Sequence, residues 1–411
     1  MFRPRRAGAL NCLLITIRGL DCQDLRCYRR GAPSARAIQR LAKSGVVCAT
    51  AVASTPPGQA TLSAFLLGNW PKRGRTDPEE SVLAEALNRG GYRTVALVRD
   101  PHDAEGSPLV DGFEVYDGAR DCGDPYRLVA RLVPRAWLDF QSVKWVAEAR
   151  RFYARMTGRV LPPGTGAEST TELALHLLNR FRREPFLFWL HFDDLTLEKN
   201  REEALAAVDA QIARLMSVLE NRDLDKRTLV ILAGDGGSGA NPAAPIPEPT
   251  RVALLWRYPD VFPAGSVCEA LVRPIDLVPT ILELCEVPCP QGKPLAGCNL
   301  ESALTGVRPT LGLDVFTETA PSIPPGSSLS LPVHRVPRTA ALRMDSWLLI
   351  ARPGPGGETC ELYNLHADPQ RAVNLAAREP AMLHALWDRL ESYRIPADRE
   401  PEPDGLLAQA F

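Results

Sequence analysis

The chain contains no run approaching the ~20 consecutive apolar residues that a membrane-spanning helix needs, so no membrane span is expected. The apolar stretch Leu10–Ile17, preceded by Arg3, Arg5 and Arg6, resembles a secretory leader only superficially. Asn11 and Cys12 interrupt it, Arg18 ends it, and no small-residue cleavage site follows, so it reads as a buried first strand. None of the ten cysteines forms a CxxC pair, and Cys285, Cys289 and Cys298 have no His or Cys cluster nearby, so no structural zinc is expected. Scattered thiols in a long chain suit a reducing compartment, and the expected location is cytoplasmic. The net charge of −1 supplies no basic field, which argues against a nucleic-acid partner. No internal repeat marks a solenoid. Hydrophobic residues at 45% and charged residues at 24% argue against a disordered chain.

Short apolar runs alternate with amphipathic segments. Asn11–Ile17, Val46–Ala53 and Arg93–Val98 read as strands. Ser34–Lys43, with Ser34 as N-cap, and Pro78–Asn88 read as helices between them. The rhythm resumes with a helix at Thr170–Arg182 and an apolar strand at Pro185–His191. A long helix at Arg201–Glu220 and strands at Thr228–Ala233 and Val252–Trp256 follow, then a helix at Asp276–Cys285. This predicts an α/β protein with a mostly parallel central sheet flanked by helices. Between the halves, Ala119–Val160 reads as a helical insertion, with Trp145, Ala149, Phe152 and Met156 on one face. Pro242–Pro249 and Pro321–Pro337 read as loops. Beyond about residue 309 the texture changes to short strands at Thr339–Arg343, Ser346–Ala351 and Cys360–Leu365 and a closing helix at Glu379–Tyr393. The expected division is therefore a domain over 1–308, carrying the insertion at about 119–160, and a small C-terminal α+β subdomain over 309–411.

In open parallel sheets ligands bind beyond the carboxyl ends of the strands. Four such ends carry polar residues: Arg18-Gly19-Leu20-Asp21 after the first strand, Ser54–Gly68 after the second, His191-Phe192-Asp193-Asp194, and Gly234-Asp235-Gly236-Gly237. Their order resembles the sulfatase family of the alkaline phosphatase superfamily. The family's LLITID strand is matched by Leu13–Arg18, its LLTG by Leu66-Leu67-Gly68, and its FLWLHFFDPH by Phe186–Thr196. TLVVLTSDHG is matched by Thr228–Gly237, RVPLLIRYPG by Arg251–Tyr258, and DLVPTLLDLAGV by Asp276–Val287. The tail motifs RTDRWKLI and ELYDLEADPGEXXNLA are matched by Arg343–Ile350 and Glu361–Ala376. The resemblance implies the superfamily's α/β fold. It also implies hydrolysis of sulfuric esters through a divalent cation, usually calcium, and a formylglycine made from cysteine, with Ser or Thr in relatives.

The residues at the matched positions depart from that chemistry. The cation-binding aspartate that ends LLITID falls on Arg18, whose charge repels a cation. Counting back from Gly68, the nucleophile falls on Gly58, and the loop arginine falls on Leu62. The histidine of FDPH falls on Thr196, and the His or Asn of DHG falls on Gly236. Asp235 is kept as a single vestigial metal ligand, and Ser238–Ile246 contains no Lys, Arg or His. One carboxylate does not hold calcium, which takes six to eight oxygens. A glycine forms no covalent intermediate. The expected function is an inactive pseudo-sulfatase with no cofactor, binding a protein partner or a small anionic ligand. The alternative is an active sulfate- or phosphate-ester hydrolase that uses Thr55 or Thr61 with Asp193, Asp194, Asp235 and a divalent cation such as calcium. A third reading is purely structural, as one half of a complex with an active paralogue.

Several side chains also have ordinary structural readings. Asp21 and Asp24 fit a solvated loop or a cap, Asp193 and Asp194 fit helix capping, His191 fits a satisfied core histidine, and Thr55 and Thr61 fit turn or cap residues. With the cation gone, Asp235 needs a compensating charge, and the expected partner is the Arg18 guanidinium.

Overall fold

The computed structural model describes residues 9–53, 59–69, 81–98, 112–118, 166–197, 200–236, 250–319, 339–354 and 357–394. Thr55, Gly58, the expected helical insertion and the loops at 242–249 and 321–337 lie outside them.

The first strand, β1 (Asn11–Ile17), is buried at all seven residues. It is followed by α1 (Arg36–Lys43), β2 (Val46–Ala53), α2 (Gln59–Leu67), α3 (Val82–Arg89), β3 (Arg93–Val98) and β4 (Val115–Gly118). Next come α4 (Ala167–Phe181), β5 (Phe186–Phe192), α5 (Arg201–Asn221), β6 (Thr228–Gly234), β7 (Thr250–Arg251), β8 (Leu254–Arg257), β9 (Ser266–Val272) and α6 (Leu277–Leu284). The strands form a nine-stranded sheet in the order β4-β3-β5-β1-β6-β8-β2-β7, with β9 paired to β2. The ladders β4–β3–β5–β1–β6 and β2–β9 are parallel, and those of β8 and β7 are antiparallel.

Alternation along β1 splits the core into two layers. Cys12 and Leu14 face a cluster built with α2, α3 and α6. Leu13, Ile15 and Ile17 face a cluster built with α1, α4 and α5. Each fully buried Leu or Ile is worth roughly 1.5–3 kcal/mol, which is why the central strands are apolar throughout.

Helix α1 starts at Arg36 after Ala35, which makes no side-chain cap, rather than at Ser34. Its N-terminal amides are satisfied from α5 instead. The buried Asp209 carboxylate accepts from Ala37 N–H at 3.0 Å and from Ile38 N–H at 2.9 Å. A cap from 172 residues away leaves no local trace in the sequence.

After residue 309 a second sheet forms from β10 (Asp314–Thr319), β11 (Thr339–Met344), β12 (Trp347–Gly354) and β13 (Gly357–Asn364), antiparallel in that order. Its first strand was not expected from the sequence. Helix α7 (Pro380–Arg394) lays Leu386 and Leu390 on Ala340, Leu342, Leu349, Ala351 and Leu362.

A buried ionic network joins the two sheets. Arg273 and Asp276 are both 0% exposed and pair at 2.9 Å. Arg273 Nη1 also donates to the Asp314 carbonyl at 3.3 Å. The Asp314 carboxylate is held by Arg389 and by the Tyr393 hydroxyl, both on α7. Truncating one member of a buried pair strands the other charge. Arg273→Ala is therefore expected to cost about 3–5 kcal/mol in urea unfolding. A loss like that of a surface pair, about 0–1 kcal/mol, would mean that the network is solvated.

Candidate functional site

Strands β5, β1 and β6 are neighbours, and their last registered residues are Phe192, Ile17 and Gly234. One residue further, Asp193, Arg18 and Asp235 follow in the same order. The topology thus sets one cation-bearing position between two carboxylate-bearing positions at the carboxyl edge of the sheet. The Arg18 N–H extends the β1–β5 ladder by donating to the Phe192 carbonyl at 2.7 Å. Asp193 is 5% exposed and Asp235 2%, while Arg18 is half-buried.

Asp235 Oδ1 accepts the Gly19 N–H at 2.7 Å. Gly19 has φ +73°, and a Cβ there would lie 2.8 Å from Thr196 Cγ2. The turn that presents its N–H to Asp235 therefore needs glycine. A Cβ on Gly234 would meet the Leu20 carbonyl oxygen at 2.4 Å, so the β1 turn can lie against the end of β6 only because residue 234 has no side chain. Gly236, where the family carries His or Asn, has φ +106° and supplies backbone alone.

The remaining candidates have structural duties. Asp194 Oδ1 accepts the Ala167 N–H at the start of α4, 2.8 Å away, which is a capping role. The Thr196 hydroxyl donates to the Asp193 carbonyl at 2.8 Å. Thr61 is fully buried in the first turns of α2. Asp21 caps the short turn Cys22–Asp24 by accepting from Gln23 N–H, and Asp24 returns a bond to Asp21 N–H.

Sequence reasoning missed Arg201. It is the first residue of α5, and its guanidinium bonds both Asp24 oxygens, at 3.1 Å from Nε and 2.6 Å from Nη2, and the Gly19 carbonyl. The carboxylates of Asp24, Asp21 and Asp235 hold its charge in place. An arginine opening a helix, ahead of Glu202 and Glu203, works against the helix dipole. That mismatch was the available signal that the cation serves something other than α5.

Beneath Arg18 lies a second buried group. The Trp189 indole N–H donates to Thr16 Oγ1 at 2.9 Å, and Thr16 Oγ1 lies 2.8 Å from His191 Nδ1. His191 is 0% exposed, and its Nε2 has no partner among the described residues. It is thus a core histidine satisfied on one side only. Burial, aided by the nearby Arg18 charge, pushes its pKa down to about 3.

A hard divalent cation fits this donor set poorly. Among the described residues no three His, Cys, Asp or Glu side chains group as metal ligands. The two strand-end aspartates are separated by a position carrying a permanent positive charge. Calcium would require several more oxygens than two carboxylates supply.

The mostly parallel sheet flanked by helices is an alkaline-phosphatase-like fold. The chain is similar across 94% of its length to the phosphonate monoester hydrolase of Agrobacterium radiobacter, with TM-score 0.63, 17% identity and 95% of that chain covered. Against Ps i-CgsB in complex with k-i-k-neocarrahexaose the TM-score is 0.68 at 19% identity, covering 96% of this chain and 94% of that one. A sulfatase family model matches residues 198–287. The chain is 22% identical over 354 residues to N-acetylgalactosamine-6-sulfatase of Canis lupus familiaris, which covers 72% of this chain and 66% of that protein. It is 25% identical over 203 residues to human arylsulfatase K, covering 46% of this chain and 35% of that protein. The chain thus spans just under two thirds of the length of the galactosamine-sulfatase relatives. The matched segment, the relatives and the fold agree in their likeness to the sulfatase family.

His191 sets a pH dependence. Its folded pKa of about 3 lies below the ordinary 6.5, so the unfolded chain takes up the proton first as pH falls. Stability is full above the ordinary value and is lost as pH falls toward the folded one, at up to about 1.4 kcal/mol per pH unit from this group. Urea midpoints measured across that window are expected to fall more steeply for the native chain than for His191→Phe. Parallel curves would contradict a buried neutral imidazole.

Proposed function

We propose that this chain is a pseudo-sulfatase, in which the Arg18 guanidinium occupies the place of the family's divalent cation and pairs with Asp235 within roughly 4 Å. The observation that carries this reading is the register at the strand ends, where Arg18 falls between the positions of Asp193 and Asp235. A fixed cation with five donors can neutralise buried carboxylates without a metal. It cannot act as a Lewis acid or lower the pKa of a nucleophile's proton as a divalent ion does. Gly58 offers no nucleophile at the matched position. The scaffold then serves binding, of a protein partner or of a small anionic ligand, and the scattered thiols support a cytoplasmic setting. Asp194 is engaged in capping α4, which argues against its use in a rearranged hydrolytic site.

Purified protein is expected to carry substoichiometric divalent metal and to show no saturable, chelator-sensitive turnover of aryl sulfate or aryl phosphate esters. Stoichiometric metal, together with turnover abolished by chelator and by Thr55→Ala or Thr61→Ala, would establish an active hydrolase instead.

A further inference from the structure

Cys48 on β2 and Cys268 on β9 are partners in a parallel ladder, in register with Val47↔Val267 before them. Neighbouring strands lie roughly 4.8 Å apart, and register partners point to the same face of the sheet. Both side chains are buried in the same core layer, at 0% and 3% exposure, and each thiol shifts the ionisation of the other. Backbone separations of roughly 4.4–6.8 Å between α-carbons accommodate a disulfide, and ladder neighbours fall within that range. We propose that Cys48 and Cys268 form a disulfide site, an oxidisable staple between β2 and β9.

The surroundings favour the reaction at this pair. β9 lies outside the main strand path with β2 as its ladder partner, and the register shifts between Cys48 and Thr50 immediately past the pair. Margins and irregularities of this kind open more readily than the sheet centre, admitting a small oxidant. Their interaction pushes the Cys268 thiol down and the Cys48 thiol up, which favours Cys268 as the attacking thiolate. With hydrogen peroxide as oxidant, the Cys268 thiolate attacks one oxygen and the O–O bond breaks. One water leaves with the thiol proton, and a sulfenic acid remains. The Cys48 sulfur then attacks the Cys268 sulfur, the S–O bond breaks, and a second water leaves with the Cys48 proton. Two thiols and one peroxide thus give one disulfide and two waters.

The staple has a structural reach beyond its own ladder. Leu271 of β9 packs with Val52 of β2 and with Leu313 and Val315 at the start of the second sheet. β2 runs directly toward the loop that holds the matched nucleophile position. Oxidation would therefore lock together the strand that feeds that loop and the strand on which the second sheet rests.

The test is a thiol count in denaturant after peroxide treatment of the full chain, followed by peptide mapping without reductant. The count is expected to fall by two from ten, with one cross-linked species joining the peptides of Cys48 and Cys268. Oxidised protein is expected to melt several degrees higher than reduced protein. The increment should disappear on adding dithiothreitol and be absent in Cys268→Ala. Retention of all ten thiols, a cross-link between other cysteines, or a cross-link that leaves the melting temperature unchanged would overturn the proposal. Because mapping uses the native chain, it decides the question even if the variant folds poorly.

Discussion

Two aspartates that follow the strands on either side of β1, both nearly inaccessible to water, need hydrogen-bonding or charged partners within the protein. That requirement organises the carboxyl edge of this sheet. β1 lies between the strands that carry them, so whatever follows Ile17 decides how the charge is met. In the sulfatase family that position is acidic and the charge balance closes with a divalent cation. Here it is Arg18, and a second guanidinium, Arg201, binds the β1 turn through Asp24 and the Gly19 carbonyl. The same turn presents the Gly19 N–H to Asp235. The β1 turn at this edge is thus held by the Arg201 guanidinium on one side and gives an amide to Asp235 on the other.

Most of the scaffold was legible because it rests on local patterns. Seven consecutive buried residues make β1 a strand in any context, and the stripe on α5 predicts the face it buries. The unreadable parts depend on partners distant in sequence. The cap of α1 comes from Asp209, and β10 begins at an aspartate whose charge is met by Arg389 and Tyr393 at the far end of the chain. At the site, the strand-end residues were visible through their motifs and the capping roles of Asp21 and Asp194 followed from residue type. The position of Arg201 beside Asp24, and the unmatched Nε2 of His191, arise only when three strands and a helix converge.

The nine-stranded sheet, its two helical layers and the attached antiparallel sheet share the fold of Ps i-CgsB and of a phosphonate monoester hydrolase. The features that differ are single side chains at strand ends and loops, where substitution costs the core nothing.

A double-mutant cycle between Arg18 and Asp235, read by urea unfolding, tests the substitution of guanidinium for metal most directly. Arg18→Ala is expected to cost on the order of 3 kcal/mol by stranding a buried carboxylate, and adding Asp235→Ala should recover part of that loss. A double variant whose loss equals the sum of the two singles would show that the two groups do not interact and would contradict the account.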